Sequence, residues 1–336
     1  MMTERAYTVY ADSRRMSREE WLRRRREGIG GSDAGAILGV SPYKGPFAVW
    51  SEKMGNADTM EDSEAMRQGR DLEDYVARRF VEKTGRKVLR EYGMLRSNAH
   101  PCMVANIDRK LRGVKAGLEC KTSKDLYMKR WHGDEMPMEY YCQCLHYMAV
   151  TGWRTWYLCV VIYGTAVKVY KISRGVGRRE KGVDEYIDNV QDDIDALVER
   201  EEAFWTEYIE GYNMPPVDGL KATGEALMRM YADSEDVAID SDIDDECAID
   251  EVIRLKDEKR SIEKRIREAE NRLKAKMETA EELRSTAALV TWKPQKRRTI
   301  SAAKIRELYP EVDLEKIKEE TSTRRFSVRT EDEDYE

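Results

Sequence analysis

The chain has 336 residues, of which 37% are charged, and a formal net charge of −6. A chain of this length can bury a core of its own, and no apolar run reaches the roughly 18 residues that a membrane-spanning helix needs. We therefore expect one large domain or two ordinary ones in the cytoplasm, without a membrane span or a secretory signal.

The charge is unevenly distributed along the chain. Residues 182–252 contain 23 acidic and 3 basic residues, a local charge of −20, so the remainder carries 56 basic and 42 acidic residues, or +14. A basic body with one acidic segment is typical of a protein that binds nucleic acid, although part of this excess is also what ordinary solvated surfaces carry.

Helices are predicted first along the chain. Hydrophobic spacing and capping residues favour helices at Met16–Arg26, at Pro46–Met54 and at Glu61–Thr84, and the segment Gly28–Gly39 is predicted to be a glycine-rich turn that runs into a short helix. Ser32 or Asp33 would cap this short helix, and Gly85 would end the helix at Glu61–Thr84.

Strands follow, interrupted by one helix. Short β-prone runs predict strands of one sheet at Lys87–Leu95, Met103–Asp108 and Gly117–Thr122. A helix is predicted at Met138–Val150, a hairpin from Trp153–Ile162 and Ala166–Ile172, and a helix at Asp184–Glu210. This order predicts an α/β fold, with a central mixed β-sheet flanked by helices.

The C-terminal part has a different composition. Pro215 and Pro216 mark a break, and from Ala248 to Leu273 apolar residues recur at steps of three and four, interrupted by Lys259. We predict four segments: an α/β domain at 1–214, an acidic linker at 215–247, a coiled-coil-like helix at 248–285 and a small basic module at 286–336. The helix would pair with another chain, fold into a helical hairpin or pack on the body.

Three charged residues on neighbouring strands form the most informative pattern. Asp108 ends one predicted strand, and Glu119 and Lys121 lie two apart on the next. Residues i and i+2 of a strand share a face, so all three can address one site. Two carboxylates, with the backbone carbonyl of Cys120 between Glu119 and Lys121, are suitable oxygen ligands for Mg²⁺ or Mn²⁺.

This pattern suits phosphodiester hydrolysis. A bound divalent metal supplies an activated water and neutralises phosphate charge, while Lys121 would orient or deprotonate the water and stabilise the transition state. The pattern alone is weak, because a charged strand edge on the surface would look the same.

A series of motifs between residues 20 and 165 adds specificity. Together they resemble, in order and spacing, the YqaJ viral recombinase family, a lambda-exonuclease-like branch of the PD-(D/E)xK nucleases. The residues that carry the resemblance are Trp21-Leu22, Arg25, Gly28–Asp33, Leu38–Tyr43, Gly69–Glu73, Asp108, Glu119–Lys121 and Tyr140–Gly152.

The resemblance implies a restriction-endonuclease-like core and roles for further residues. Glu73 would approach the metal as ligand or neighbour of a ligand, and Gln143 would orient Lys121 or DNA. Arg25 and Ser32 would hold a terminal phosphate, with the glycine-rich turn at Gly31 and Asp33 helping through its backbone N–H groups. Each role has a simpler alternative. Glu73 would be a solvated acid on a helix and Gln143 an ordinary surface amide. Arg25 would belong to a solvated basic helix, and the glycine-rich segment would be a structural turn without a ligand.

The resemblance also implies an activity. We expect a Mg²⁺-dependent exonuclease that digests one strand of linear double-stranded DNA, 5′ to 3′, leaving single strand for phage-type homologous recombination. Family members form ring-shaped trimers around DNA, so a homo-oligomer acting on DNA ends is expected, with a single-strand annealing protein as a possible partner. The alternatives are an endonuclease of the same fold, a non-catalytic DNA-binding or assembly protein, and a scaffold built on the coiled-coil segment.

Two positions depart from the family's pattern. Arg109 stands where a small turn residue is usual, and Cys120 where an aliphatic residue is usual. Trp131 and His132 are candidates for stacking on unpaired bases, whereas Trp153 and Trp156 read as core residues.

Overall fold

The computed structural model describes residues 5–56, 64–124, 130–131, 135–163, 166–298, 301–309, 312, 316 and 324–328. The chain divides into two compact units, Met1–Tyr231 and Ala232–Glu336. No helix in the described ranges is both long and apolar enough to cross a membrane.

A six-stranded sheet lies at the centre of the first unit, in the order β2-β5-β6-β7-β8-β9. The β6–β7 and β8–β9 pairs are parallel and the other neighbours are antiparallel, so the sheet is mixed, as predicted. Its strands are β2 (Val88–Arg90), β5 (Arg109–Leu111), β6 (Ala116–Ser123), β7 (Thr155–Ile162), β8 (Ala166–Ser173) and β9 (Glu185–Ile187).

A second, antiparallel sheet has the order β1-β3-β4, with β1 at Tyr7–Asp12, β3 at Gly93–Ser97 and β4 at Val104–Ala105. The prediction of one sheet was wrong here. The carboxylate of Glu91 accepts hydrogen bonds from the N–H groups of Tyr92 and Gly93, and this turn separates β2 from β3. Strand β1 was not predicted.

The described part of the first unit contains seven α-helices. They are α1 (Arg18–Arg26), α2 (Gly31–Ile37), α3 (Pro46–Lys53), α4 (Glu64–Thr84), α5 (Met138–Thr151), α6 (Gln191–Phe204) and α7 (Lys221–Met230). Gly85 and Gly152, both with positive φ, follow the ends of α4 and α5, which explains the strong end signals in the sequence. The predicted helix start at Asp184 was wrong, because Glu185–Ile187 pairs with β8 as a strand.

Helices cover both faces of the central sheet. Strand β7 alternates between them: Trp156 and Leu158 pack on the side of α5, whereas Tyr157 and Cys159 pack with Phe80 of α4. Strand β6 alternates in register with β7, and Leu118 faces α4. Glu119 and Lys121 therefore point to the opposite side of the sheet, towards α5.

The second unit contains α8 (Ile243–Met277), the antiparallel hairpin of β10 (Glu282–Arg284) and β11 (Leu289–Thr291), and α9 (Ala302–Leu308). Helix α8 begins five residues before the predicted 248 and ends at Met277, because Asp242 caps its first turn and β10 follows. Helix α7 lies in the predicted linker, with Thr223 and Ala226 buried. Residues 286–336 carry 11 basic and 11 acidic residues, so this segment as a whole is not basic.

Candidate active site

The predicted acids meet at the junction of two neighbouring strands. Asp108 immediately precedes β5, and β5 pairs with the start of β6, which carries Glu119 and Lys121. Asp108 Oδ2 accepts a hydrogen bond of 2.8 Å from the backbone N–H of Cys120, which fixes the carboxylate beside β6. The structure therefore brings Asp108, Glu119 and Lys121 close together.

Glu119 is the most enclosed of the three, at 2% exposure. Its Oε1 lies 2.7 Å from Lys121 Nζ and accepts a 2.8 Å hydrogen bond from Gln143 Nε2 of α5. Lys121 Nζ also lies 4.8 Å from the centre of the Tyr140 ring. Gln143 therefore contacts the acid rather than the lysine, and α5 supplies both an amide and an aromatic ring to the site.

The electrostatics of this site favour an additional cation. Burial, together with the charges of Glu119 and Glu73, raises the pKa of Asp108 well above its usual value. Burial also raises the pKa of Glu119, although Lys121 opposes the increase. Glu119 Oε2 is buried and has no hydrogen-bond partner among the described residues. Two hard carboxylates and an unsatisfied oxygen fit a divalent metal ion such as Mg²⁺.

Glu73 is held by a different partner. Arg109 on β5 faces α4, donates one hydrogen bond to the Glu73 carboxylate, and donates others of 2.6 Å to Asp74 Oδ1 and to the carbonyl oxygen of Asp108. In the described part of the chain, no three His, Cys, Asp or Glu residues gather in a metal-binding arrangement. The structure thus brings the carboxylates of Asp108 and Glu119 together and places Glu73 beside them in an ion pair with Arg109.

A chain of close contacts joins the acids to the glycine-rich segment. Gln143 Nε2 also donates a 2.9 Å hydrogen bond to the hydroxyl of Tyr147, one turn further along α5. The Tyr147 ring packs on Gly31, where a Cβ atom would lie 2.6 Å from the ring. Burial and the charges of Glu119 and Asp108 raise the pKa of Tyr147, and Arg25 opposes this effect. The charges of the two acids and of Arg25 therefore all act on this one tyrosine.

Cations surround Asp33 next to this contact. The fully buried Asp33 carboxylate lies 2.8 Å from Lys44, 2.7 Å from Lys53 and 3.9 Å from Arg25. Burial works against the charged form of Asp33, but these cations prevail and hold its pKa well below the usual range. Arg25 also donates a hydrogen bond to Ser32.

This cluster shows how the predicted phosphate-binding residues differ. Three cations face two anions, Asp33 and Glu52, which leaves one positive charge in excess. Arg25 and Ser32 stand together. The Asp33 carboxylate is itself an anion held by Lys44 and Lys53, and Gly31 provides room for the Tyr147 ring.

Sequence reasoning missed four residues of this region: Lys44, Lys53, Tyr140 and Tyr147. The sequence pointed to three of them only through their place in or next to a motif. Lys44 directly follows the Leu38–Tyr43 motif, and both tyrosines lie in the Tyr140–Gly152 motif.

Three tryptophans and one histidine have structural roles. Trp131 is buried at 2% exposure and stacks on Tyr140, so it is not available to bases, and His132 lies outside the described residues. Trp153 and Trp156 are core residues as predicted. The buried His146 bonds Glu201 and the carbonyl of Val104.

Comparison with known proteins places this site in a family. Residues 20–154 match the YqaJ-like viral recombinase domain. The chain is 36% identical over 332 residues to the uncharacterized protein YqaJ of Bacillus subtilis (strain 168), covering 98% of this chain and 99% of that one. The chain therefore belongs to the YqaJ family. The α/β architecture predicted from the sequence, a central mixed β-sheet flanked by helices, is confirmed.

Solved structures with a similar arrangement include two exonucleases. The alkaline exonuclease LHK-Exo from Laribacter hongkongensis, in complex with dAMP, is 17% identical with a TM-score of 0.44, covering 57% of this chain and 93% of that one. A phage related exonuclease from Haemophilus somnus 129PT is 13% identical with a TM-score of 0.41, covering 57% of this chain and 100% of that one.

Proposed function

We propose that this protein is a Mg²⁺- or Mn²⁺-dependent exonuclease that digests one strand of linear double-stranded DNA from an end, 5′ to 3′, and so prepares DNA for recombination. The observation that carries the proposal is the buried pair of Asp108 and Glu119 beside Lys121, with one carboxylate oxygen left without a partner. Membership of a family described as viral recombinase-like supports the link to recombination.

Asp108, Glu119 and the backbone carbonyl of Cys120 would hold the metal ion. When bound, the ion supplies charge neutralisation at the phosphate and a water of lowered pKa. Gln143 fixes the orientation of Glu119 through its 2.8 Å hydrogen bond, and Asp108 is fixed by the N–H of Cys120. The two carboxylates are thus pre-positioned by the protein.

Lys121 would act as a cation in this site. Burial disfavours its charged form, but Glu119 and Asp108 outweigh that effect and raise the pKa of Lys121 above its usual value. A protonated Lys121 can donate a hydrogen bond to a phosphate oxygen or orient the attacking water. Since the increase comes from the two carboxylates, it would shrink once a divalent cation neutralises them.

The cluster around Asp33 would bind the terminal phosphate of the DNA end. Arg25 is the most exposed of its three cations and stands next to the Ser32 hydroxyl, a donor pair suited to a phosphate group. Lys44 and Lys53 add positive charge behind them. An end-binding cluster joined to the acids through Tyr147 favours an exonuclease over an endonuclease of the same fold.

The test compares linear, end-labelled duplex DNA with closed circular DNA in the presence of Mg²⁺ or Mn²⁺. We expect the linear duplex to shorten from its ends, faster with a 5′-phosphate than with a 5′-hydroxyl, while the circle survives. Lys121→Ala should abolish the reaction. Lys115→Ala, the same change at an exposed lysine in the turn before β6, should leave it intact.

Other outcomes select the alternatives. Cleavage of the circle would identify an endonuclease. Intact linear DNA with both metals, together with binding of the duplex, would identify a non-catalytic DNA-binding protein. Labels on the 3′ and 5′ ends in separate reactions give the polarity.

A further inference from the structure

Helix α8 presents an apolar stripe that the described residues leave exposed. Positions 248, 252, 255, 259, 262, 266, 269 and 273 follow a regular heptad with alternating steps of four and three. Its large apolar members are 39–51% exposed: Leu255, Ile262, Ile266 and Leu273. A heptad stripe of this kind is a surface that pairs with another helix.

The charges of α8 are divided between its two halves. Residues 243–258 contain seven acidic and two basic residues, a charge of −5, whereas residues 259–277 contain eight basic and three acidic residues, a charge of +5. Two such helices attract when they run antiparallel, because each acidic half then faces a basic half. Side by side in parallel, like halves face each other.

We propose that α8 is a self-association surface, and that two copies of this chain pair through it as an antiparallel coiled coil. The residues that flank an apolar seam decide orientation and register in coiled coils. We place the two-fold axis between Arg260 and Ser261. In this register, wherever two charged residues meet across the edge of the apolar seam, their charges are opposite. These contacts, each made twice, are Glu251 with Arg272, Glu258 with Arg265, and Lys256 with Glu263 of the second copy.

The same register also matches the side chains inside the seam by size. Ile266 lies opposite Leu255, and the smaller Ala269 and Ala248 lie opposite Val252 and Leu273. Lys259 lies opposite Ile262, near the axis. Its amine is 3.8 Å from Glu263 on the edge of the seam, so the charged end can remain in water while the stem packs.

Other arrangements bring like charges together. A shift of one heptad in either direction places Arg265 against Arg265 or Glu258 against Glu258. A parallel pair places Glu258 against Glu263 and puts both copies of Lys259 in the centre of the seam. Charge complementarity therefore selects one partner, a second copy, and one register.

The experiment uses the full chain and charge reversal at one predicted contact. E258R and R265E each create two like-charge contacts in a self-pair, and each should weaken association roughly tenfold. The double variant E258R/R265E restores opposite charges and should associate like the wild type. An equal mixture of the two single variants should also associate, because each then meets its complement.

Sedimentation velocity, over a wide range of protein concentration and at two salt concentrations, measures the mass of the associated species for each variant. E268R is the matched control, because it makes the same charge change as E258R at a position on the face of α8 that points away from the seam. The proposal is overturned if the single variants keep the wild-type mass, if their mixture gains nothing, or if E258R associates more tightly, as parallel pairing requires. A wild type that shows no association beyond that of a Leu255→Asp/Ile266→Asp variant also overturns it.

This inference does not depend on the proposed nuclease activity. It concerns the second unit, and it is separate from the trimer that the family resemblance implies for the nuclease domain. DNA degradation by E258R can be measured in the same preparations, so a failure of either proposal is visible without the other.

Discussion

Substitution of Arg109 tests whether its positive charge compensates the negative charge of Glu73 beside Asp108 and Glu119. Its guanidinium is 4% exposed and is bound by Glu73, by Asp74 and by the carbonyl oxygen of Asp108. In R109Q this charge is lost, and Glu73 is left without a cation beside Asp108 and Glu119. Breaking a fully buried pair costs roughly 3–5 kcal/mol.

The expected magnitude is smaller than that, because Glu73 and Asp74 are 26% and 56% exposed and retain part of their hydration. We expect R109Q to lower the free energy of unfolding by about 2 kcal/mol, which is a decrease in Tm of roughly 4–8 °C for a unit of this size. Arg90→Gln is the matched control. Arg90 lies 2.7 Å from the same Asp74 but is 43% exposed, so its loss should cost less than about 1 kcal/mol.

Two measurements complete this test. Thermal unfolding followed by tryptophan fluorescence gives the stabilities of R109Q, E73Q and the double variant, and the double variant should lose less than the sum of the single losses by at least about 1 kcal/mol. Mg²⁺ should raise the Tm of R109Q more than that of the wild type, because an uncompensated Glu73 adds negative charge to the metal site. If the effects of R109Q and E73Q are additive and Mg²⁺ stabilises both proteins equally, Arg109 does not control Glu73 and the reasoning fails.

Two further predictions concern the stability of the fold. G31A should lower the free energy of unfolding by about 1–3 kcal/mol because its Cβ would lie 2.6 Å from the Tyr147 ring, whereas G69A on α4, with nothing within 4 Å, should be neutral or stabilising; urea unfolding of both decides. Burial opposes the charged form of Glu180, but hydrogen bonds, first among them that from Lys171, lower its pKa. The contribution of Glu180 to the free energy of unfolding is therefore complete above the unfolded-state pKa of about 4.5 and is lost as the pH falls through the lower folded-state pKa. In E180Q, the free energy of unfolding should depend less on pH on the acid side. An unchanged pH dependence would contradict this assignment.

The parts of the site that the sequence predicted depend on local geometry. Glu119 and Lys121 share a face because they are two apart on a strand, and Asp108 reaches them because β5 and β6 are adjacent. Neither inference needs a distant contact. The end of α5 at Gly152 was predictable for the same reason, since glycine at a helix end adopts positive φ without strain.

The parts that were missed depend on contacts between distant segments. Arg109 reaches Glu73 across 36 positions, and Lys53 reaches Asp33 across 20. In the sequence, Arg109 was only a departure from the family's pattern at that position. Its pairing with Glu73 depends on the register of β5 and β6, in which Arg109 lies opposite Leu118 and therefore faces α4. Strand β1 was missed because no other strand lies near it in sequence, and its partner β3 begins at Gly93.

The close approach of α2 to α5 brings the glycine-rich segment near the acids. Gly31 lets the Tyr147 ring lie against α2, and the Tyr147 hydroxyl accepts the hydrogen bond from the Gln143 amide that also holds Glu119. A side chain at position 31 would push α2 away from α5 and would disturb both ends of this contact chain at once. The geometry of the acids and the position of Arg25 are therefore fixed by the same packing contact. Under the proposed function, the fold would thereby set the distance between a bound DNA end and the bond to be hydrolysed.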